Sequence, residues 1–253
     1  MWVAVDIYEQ HHVPCPQFYG KWPFVRVLVM QEPASVVFSV ANGITNVIAY
    51  RSYRSVVPMS APMFHVTAIH LIVDVNAWLW SSVFHARDFP WTEKLDYFCA
   101  TSLVVYAFYV CLHRWTYEVA AEKRTALRWI AGTVLGIMYI AHVAYLSYGR
   151  FDYGYNIKAN IAVGLLNSAS WILLCVRNRV GCPYFWKMGL AVILTNCFLA
   201  FEVLDFAPVL WTFDAHSIWH FLTIPLPFLI FSFFVDDHLF LHRSSKFKQK
   251  SLC

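Results

Sequence analysis

Long apolar stretches alternate with short polar segments along this chain of 253 residues. Charged residues, prolines and a glycine interrupt the apolar pattern, for example at residues 51–62, 114–128 and 177–187. An α-helix needs about 20 apolar residues to cross a bilayer. Seven stretches approach that length, centred on residues 34–50, 66–84, 95–113, 126–146, 157–176, 188–206 and 215–235. The pattern predicts an all-α integral membrane protein, built as a bundle of seven transmembrane helices.

Three prolines predict features of individual helices. Pro33 stands at the start of the first apolar stretch, where the first turn of a helix tolerates proline. Pro225 and Pro227 lie inside the seventh stretch and lack backbone N–H donors, so they predict a kink there.

Composition and loop charges place the chain in a bilayer and orient it. The sequence is 59% hydrophobic and 13% charged, whereas soluble domains average about 25% charged. Of the 19 Lys and Arg residues, the tail and the loops on its side hold all but Lys21, Arg26, Arg87, Lys94, Arg150 and Lys158. Because positive residues concentrate on the cytoplasmic side, the C-terminus is expected to be cytoplasmic and the N-terminus lumenal.

The same pattern divides the chain into three parts. They are a short lumenal segment at residues 1–33, a seven-helix membrane domain at 34–236 and a basic cytoplasmic tail at 237–253. Residues 1–32 have no basic start and no uninterrupted apolar run, so they do not read as a signal peptide. The net charge of +4 contains no basic cluster, so membrane lipids are expected as partners and nucleic acid is not. No protein partner is identifiable from the sequence.

Three histidines fall at one predicted membrane depth. His216 and His220 are four residues apart at the start of the seventh stretch, so they share one helix face. His85 ends the second stretch on the same side of the bilayer. Three imidazoles that leave a fourth position for water form one of the ligand sets of catalytic zinc. The HxxxH spacing alone is a weak signal, but its coincidence with His85 makes a Zn²⁺ site the leading hypothesis.

Two more polar residues lie at this level and are candidates for catalysis. Ser81 precedes His85 by one turn and could donate a hydrogen bond to a developing oxyanion. Asp96, near the start of the third stretch, could take a proton from the zinc-bound water or orient a histidine. The seven cysteines form no CxxC pair, so the sequence indicates neither a thiolate zinc site nor a disulfide framework. The remaining membrane histidines are interpreted as packing residues between helices: His65, His70, His113 and His142.

Seven motifs spread over nearly the whole chain resemble a known family. They are QFYGKWPF at 17–24, QEPAS at 31–35, NAW at 76–78, FHARD at 84–88, TEKLDYF at 92–98, RFDYGYN at 150–156 and DAHSIWH at 214–220. Together they resemble the PER-like post-GPI-attachment phospholipases. This family belongs to the CREST group of seven-transmembrane hydrolases, with the alkaline ceramidases and the progestin and adiponectin receptors.

The resemblance implies a function and a role for each site residue. His85, His216 and His220 would bind Zn²⁺, with Ser81 and Asp96 at the accompanying serine and acidic positions. The implied enzyme is of the phospholipase A2 type. It removes the sn-2 acyl chain from the phosphatidylinositol of GPI-anchored proteins and leaves lyso-GPI and a fatty acid.

The resemblance also implies a location and a maturation route. The expected location is the Golgi membrane, with the endoplasmic reticulum membrane as a second site. Family members usually carry a signal peptide and a Cys-rich lumenal segment before the region where this chain begins. The chain is therefore expected to correspond to an N-terminally shortened form.

Two alternatives stay open at the level of sequence. One is a ceramidase-like lipid amide hydrolase that uses the same zinc site with a different lipid cleft. The other is a noncatalytic zinc-containing receptor or GPI-sorting protein, like the receptor branch of the group.

Overall fold

A computed structural model describes residues 5, 6, 8, 10, 11, 15–18, 21–204 and 206–250, with the backbone alone described at 202, 203 and 248–250. Helices dominate this part of the chain, and its β-structure consists of isolated bridges. The long helices, labelled in chain order, are α1 (Pro33–Val56), α2 (Phe64–Ala86), α3 (Pro90–Trp115), α4 (Ala121–Ser147), α5 (Tyr153–Asn178), α6 (Phe185–Val203), α7 (Ala215–Thr223) and α8 (Leu226–Lys250). A single 3₁₀ turn, Thr116–Glu118, follows α3.

Five helical stretches among the described residues are long and apolar enough to cross a membrane: Phe64–Ala86, Pro90–Glu118, Ala121–Ser147, Tyr153–Asn178 and Ala215–Phe247. A shorter apolar stretch, Phe185–Phe201, lies in α6. The chain is therefore a helical membrane protein.

Helix α1 is not among these five stretches, and one of its faces is polar. It has 24 residues, which corresponds to about 36 Å at the usual rise of an α-helix. Four of its buried residues are polar and follow one another at helical spacing, namely Ser35, Ser39, Asn42 and Asn46. A buried polar face lowers the mean hydropathy of a helix without shortening it, and this face of α1 is directed into the bundle.

The prolines begin or interrupt helices at the positions that the sequence predicts. Pro33 occupies the first turn of α1. The seventh apolar stretch is interrupted after Thr223 and resumes at Leu226, so α7 and α8 are separate helices on either side of Pro225. The missing N–H donor of proline explains the interruption.

A buried polar cluster joins the helices at the end of α3. Arg114 Nε donates to Asp237 Oδ2 at 2.7 Å, and both side chains are almost fully buried. The next residue, His238, is fully buried, and its Nδ1 lies 2.9 Å from the hydroxyl of Tyr53. Helix α8 continues to Lys250, past residue 237, where the sequence places the start of the tail. These two polar residues belong to the bundle because other helices supply their partners.

The packing brings three helices together around the predicted site. Helix α1 packs against α2, α7 and α8, while α7 also packs against α6. Helix α4 lies at the edge of the bundle, where it packs against α3 and the 3₁₀ turn. The end of α2 and the start of α7 therefore meet beside α1.

Candidate metal centre

Helix α7 starts with a reciprocal cap that sets the position of its histidines. The Asp214 carboxylate accepts a hydrogen bond from the Ser217 backbone N–H at 2.8 Å, and the Ser217 hydroxyl accepts one from the Asp214 N–H at 3.0 Å. Such a cap satisfies N–H groups that have no partner within the first turn. His216 follows one residue after the start of the helix, and His220 lies one turn further along.

The end of α2 is held by the segment that precedes α1. The backbone N–H of Glu32 donates to the carbonyl oxygen of His85 at 3.1 Å, and that of Gln31 donates to Ala86 at 3.2 Å. These two carbonyl groups lie in the last turn of a helix, where they have no partner within the helix. The pairing satisfies them and places the Glu32 side chain beside the His85 ring.

The three predicted histidines converge. His216 Nε2 lies 3.2 Å from His85 Nε2 and 2.9 Å from His220 Nε2. One ligand atom from each residue lies within 4.8 Å of the others, and this cluster could hold a metal ion. His85 and His220 are buried to within a few per cent, while His216 is partly accessible. His216 is therefore the most accessible of the three rings.

The Nδ1 atoms of His85 and His220, which face away from the cluster, lie within hydrogen-bond distance of other side chains. His85 Nδ1 lies 2.6 Å from Glu32 Oε2, and His220 Nδ1 lies 2.9 Å from the hydroxyl of Ser39. A carboxylate can only accept, so the proton of neutral His85 is on Nδ1. The Ser39 hydroxyl can likewise accept a hydrogen bond from the Nδ1–H group of His220. Both Nε2 atoms then direct lone pairs toward His216, an arrangement that a cation stabilises.

The Glu32 side chain is expected to be negatively charged, as an acceptor for the His85 Nδ1–H group should be. Burial disfavours its charged form, but the attraction of the neighbouring His85 and their hydrogen bond hold the pKa of the carboxyl below its ordinary value. Glu32 is therefore a carboxylate that faces the Nδ1 side of the His85 ring, away from the cluster.

Comparison with known proteins places the chain in a family. The model of the Per1-like family matches residues 1–238. The chain belongs to the Per1-like family. This finding confirms the family resemblance that the sequence motifs indicate.

The curated relatives of this Per1-like protein cover most of its length. Two proteins named "GPI-specific phospholipase A2-like PGAP3" are 42% identical over 246 residues in Danio rerio and 44% identical over 250 residues in Homo sapiens. The alignments cover 97% and 99% of this chain and 77% of each relative. "Post-GPI attachment to proteins factor 3" of Drosophila melanogaster is 40% identical over 231 residues, which is 91% of this chain and 70% of the relative. No solved structure matches the chain.

Ser81 and Asp96 occupy different positions relative to the three rings. The hydroxyl of Ser81 lies 3.0 Å from that of Ser39, which is the partner of His220, so Ser81 is joined to the cluster through Ser39. Asp96 lies in the second turn of α3 and is half-buried. Its role at the cluster stays a prediction.

Sequence reasoning missed the contribution of α1. Glu32, Ser39 and Asn42 all contact the histidine residues, with Asn42 Nδ2 donating to the backbone oxygen of His220 at 2.8 Å. The signal available was the helical spacing of Ser35, Ser39, Asn42 and Asn46, a polar face in a stretch expected to lie in lipid.

The other histidines outside this cluster mostly join helices. His113 Nδ1 lies 3.0 Å from Met63 Sδ, and His142 Nε2 lies 3.4 Å from Thr101 Oγ1. His70 lies 3.4 Å from Asp74 on its own helix, and His65 is exposed. The His70 ring also packs against Tyr106 of α3 and Phe234 of α8. The packing role predicted from the sequence is therefore confirmed for His70, His113 and His142.

Proposed function

We propose that this protein is a zinc-dependent hydrolase of the phospholipase A2 type that remodels the lipid of GPI-anchored proteins. Its reaction is cleavage of the sn-2 acyl ester of GPI phosphatidylinositol, which gives lyso-GPI and a fatty acid. The convergence of three histidine Nε2 atoms carries this proposal. The substrate class rests on the relatives named "GPI-specific phospholipase A2-like".

The donor set suits zinc. Bonds of 2.0–2.1 Å in a tetrahedral site place two nitrogen ligands about 3.3 Å apart. The Nε2–Nε2 distances of 3.2 and 2.9 Å are close to this value. The sequence excludes the HExxH pattern because Glu is absent between His216 and His220, so the base must come from another element.

Bound zinc would lower the pKa of a water molecule toward neutrality and polarise the ester carbonyl. The chain supplies the remaining roles. Glu32 and Ser39 hold His85 and His220 with their Nε2 atoms directed inward. Ser81 is proposed to donate a hydrogen bond to the oxyanion that develops on the carbonyl oxygen. Asp96 is proposed to accept the proton of the attacking water.

The proposed membrane arrangement suits a lipid ester. We place all seven apolar stretches across the bilayer, with the histidine end on the lumenal side and the C-terminus in the cytoplasm, as the loop charges predict. The length of α1 supports its inclusion among the spans. A site at the end of α2 and the start of α7 would then lie near the depth of the acyl esters of a lipid in the lumenal leaflet. The proposed location is the Golgi membrane, with the endoplasmic reticulum membrane as a second site.

Release of labelled fatty acid tests the proposed reaction. Purified, zinc-loaded protein in phospholipid vesicles is given GPI lipid labelled in its sn-2 acyl chain, and ceramide in a parallel reaction. We expect release from the GPI lipid, and loss of both bound zinc and release in His216→Ala. The matched control is His65→Ala, which removes an exposed histidine outside the cluster.

Two results would contradict the proposal. Release from ceramide but not from GPI lipid would identify a lipid amide hydrolase. A zinc-loaded protein that binds the GPI lipid and leaves its acyl chains intact would indicate a receptor or a sorting protein. Expression in cells deficient in GPI fatty-acid remodelling, with His85→Ala beside the wild type, tests the same function and the Golgi location.

A further inference from the structure

A groove runs between α3 and α4 on the outer side of the bundle. Two adjoining cavities, with volumes of about 460 Å³ and about 280 Å³, share Tyr109 and Gly132 in their linings, so they form one continuous depression. We call it the α3–α4 groove. Volumes of a few hundred Å³ are typical of sites for small molecules.

Two glycines of α4 keep this groove open. Gly132 and Gly136 are one turn apart and both line it. A Cβ atom at Gly132 would lie 3.4 Å from the ring of Tyr109, whereas a Cβ at Gly136 would meet no atom within 4 Å. The space beside Gly136 is therefore not filled by the protein.

The two ends of the groove differ in polarity. The part beside Gly136 is lined mainly by apolar and aromatic side chains, among them Val73, Val105, Leu135 and Tyr139. Its other end, near the start of α4, is lined by Thr125, Arg128 and Trp129. A channel that is apolar along its length and cationic at one end matches a lipid with an anionic headgroup.

Two contacts hold the Arg128 guanidinium in place, but one of its N–H groups has no hydrogen-bond acceptor within the part of the chain that the structure describes. Its Nε donates to the hydroxyl of Thr116 at 3.0 Å, and its guanidinium lies 4.9 Å from the centre of the Tyr117 ring. Among the described residues, its Nη2 is buried and has no hydrogen-bond partner. A buried donor on a charged group is costly to leave unpaired. The Arg128 side chain is partly exposed and lines the groove, so a small rotation of its guanidinium would bring an N–H to an acceptor there.

We propose that the α3–α4 groove binds a phospholipid of the surrounding bilayer, with a phosphate oxygen accepting from the Arg128 guanidinium, which lines the groove, and an acyl chain lying along Gly132 and Gly136. A phosphate oxygen is a strong acceptor for a guanidinium. Lys123 and Arg124 add positive charge at the same end of α4.

This site is separate from the histidine cluster. Helix α3 begins just after the His85 end of α2 and carries Arg114 in its last turn. Helix α4 starts from that far end, so Arg128 lies in the half of the bundle opposite the histidines. The bound phospholipid is therefore a lipid of the other leaflet, and its binding does not depend on the proposed hydrolase activity.

Photolabelling tests the groove. The 253-residue protein is placed in phosphatidylcholine vesicles that contain a phospholipid with a photoactivatable diazirine near the end of one acyl chain. Labelled peptides are then identified by mass spectrometry. We expect labelling of peptides that contain residues 102–109 and 132–139. Gly136→Leu should remove most of it, because the new side chain would fill space that is empty of protein.

The phosphate contact is tested by comparing two probes with identical acyl chains. Arg128→Gln should lower labelling by the phospholipid about tenfold, the value of one hydrogen bond to a charged group. It should leave labelling by the matching diacylglycerol, which has no phosphate, unchanged.

Two controls separate binding from folding. Gly164→Leu makes the same change in α5, at a glycine that also has no atom within 4 Å of an added Cβ and does not line the groove. Thermal unfolding should be similar for all variants. The proposal is overturned if the lipid probe labels these peptides as strongly in Gly136→Leu as in the wild type. It is also overturned if Arg128→Gln lowers labelling by the phospholipid and by the diacylglycerol equally.

Discussion

Replacing Glu32 with glutamine removes one negative charge beside His85 and changes the shape of the side chain very little. The Glu32 side chain is 20% exposed and that of His85 is 3% exposed, so water screens their contact weakly. Glutamine can still accept a hydrogen bond from Nδ1, but without charge. The substitution therefore tests whether the carboxylate strengthens His85 as a metal ligand.

The size of the effect follows from the contact itself. The distance of 2.6 Å is typical of a hydrogen bond to a charged group. Such a bond contributes about 1 kcal/mol more than a neutral one, and each 1.4 kcal/mol is a factor of ten in affinity. Changes in groups behind metal ligands cost about tenfold to a hundredfold in affinity. The lost charge alone corresponds to about fivefold, so we expect the zinc affinity of Glu32→Gln to fall by a factor of about five to ten, near the lower end of that range.

Competition with a chelator of known affinity measures this quantity directly in detergent-solubilised protein. Asp88→Asn is the control, because Asp88 is an acidic residue at the same end of the bundle that pairs with Lys21. It should leave zinc affinity unchanged. Equal zinc affinity in the wild type and Glu32→Gln, with both folded, would refute the idea that Glu32 supports the metal.

Three further substitutions test other parts of the structure. Ser39→Ala removes the partner of His220 Nδ1, so zinc affinity measured by chelator competition should fall about tenfold. Asp96→Asn should lower the rate of fatty-acid release by about a hundredfold or more while the zinc content stays the same, since it removes a proposed proton acceptor. Asp237→Ala leaves the buried charge of Arg114 without this partner, so thermal or denaturant unfolding should show a loss of about 3–5 kcal/mol.

Two of these substitutions have matched control variants, and for Asp96 the zinc content serves as the control measurement. Ser82→Ala removes a hydroxyl that bonds to Trp78 within its own helix, and it should not change zinc affinity. For Asp96, loss of zinc together with activity would show a structural effect instead of proton transfer. Arg177→Gln breaks an exposed ion pair with Glu118 and should cost less than about 1 kcal/mol. A similar loss for Asp237→Ala would mean that the buried pair contributes little.

Much of the candidate site was predictable because two of its three histidines lie on one helix face and the third ends another helix at the same predicted depth. The spacing of His216 and His220 and the predicted depth of His85 were sufficient to bring these three residues together as a hypothesis. The structure confirms that they converge. The partners of their Nδ1 atoms were not predictable in this way, since Ser39 and His220 are 181 residues apart. Such a contact depends on how far α1 is rotated about its axis, which packing decides.

The start of the predicted tail shows another case in which contacts between distant residues decide the structure. Asp237 and His238 are polar, and the sequence around them reads as the end of the membrane domain. Both are fully buried, because Arg114 and Tyr53 supply partners from α3 and α1. A polar residue read in isolation looks exposed, because the cost of burying it depends on a partner far away in sequence.

The sequence by itself determined the helical membrane class, the approximate positions of the apolar helices, the interruption near Pro225 and the three histidines. These properties depend on hydrophobicity and on spacing within one helix, both of which are local. The tertiary structure alone decided that Glu32 and Ser39 lie behind the histidine rings and that Arg128 ends an open groove beside Gly136. These depend on the rotation and register of helices against one another, which the packing of the whole bundle sets.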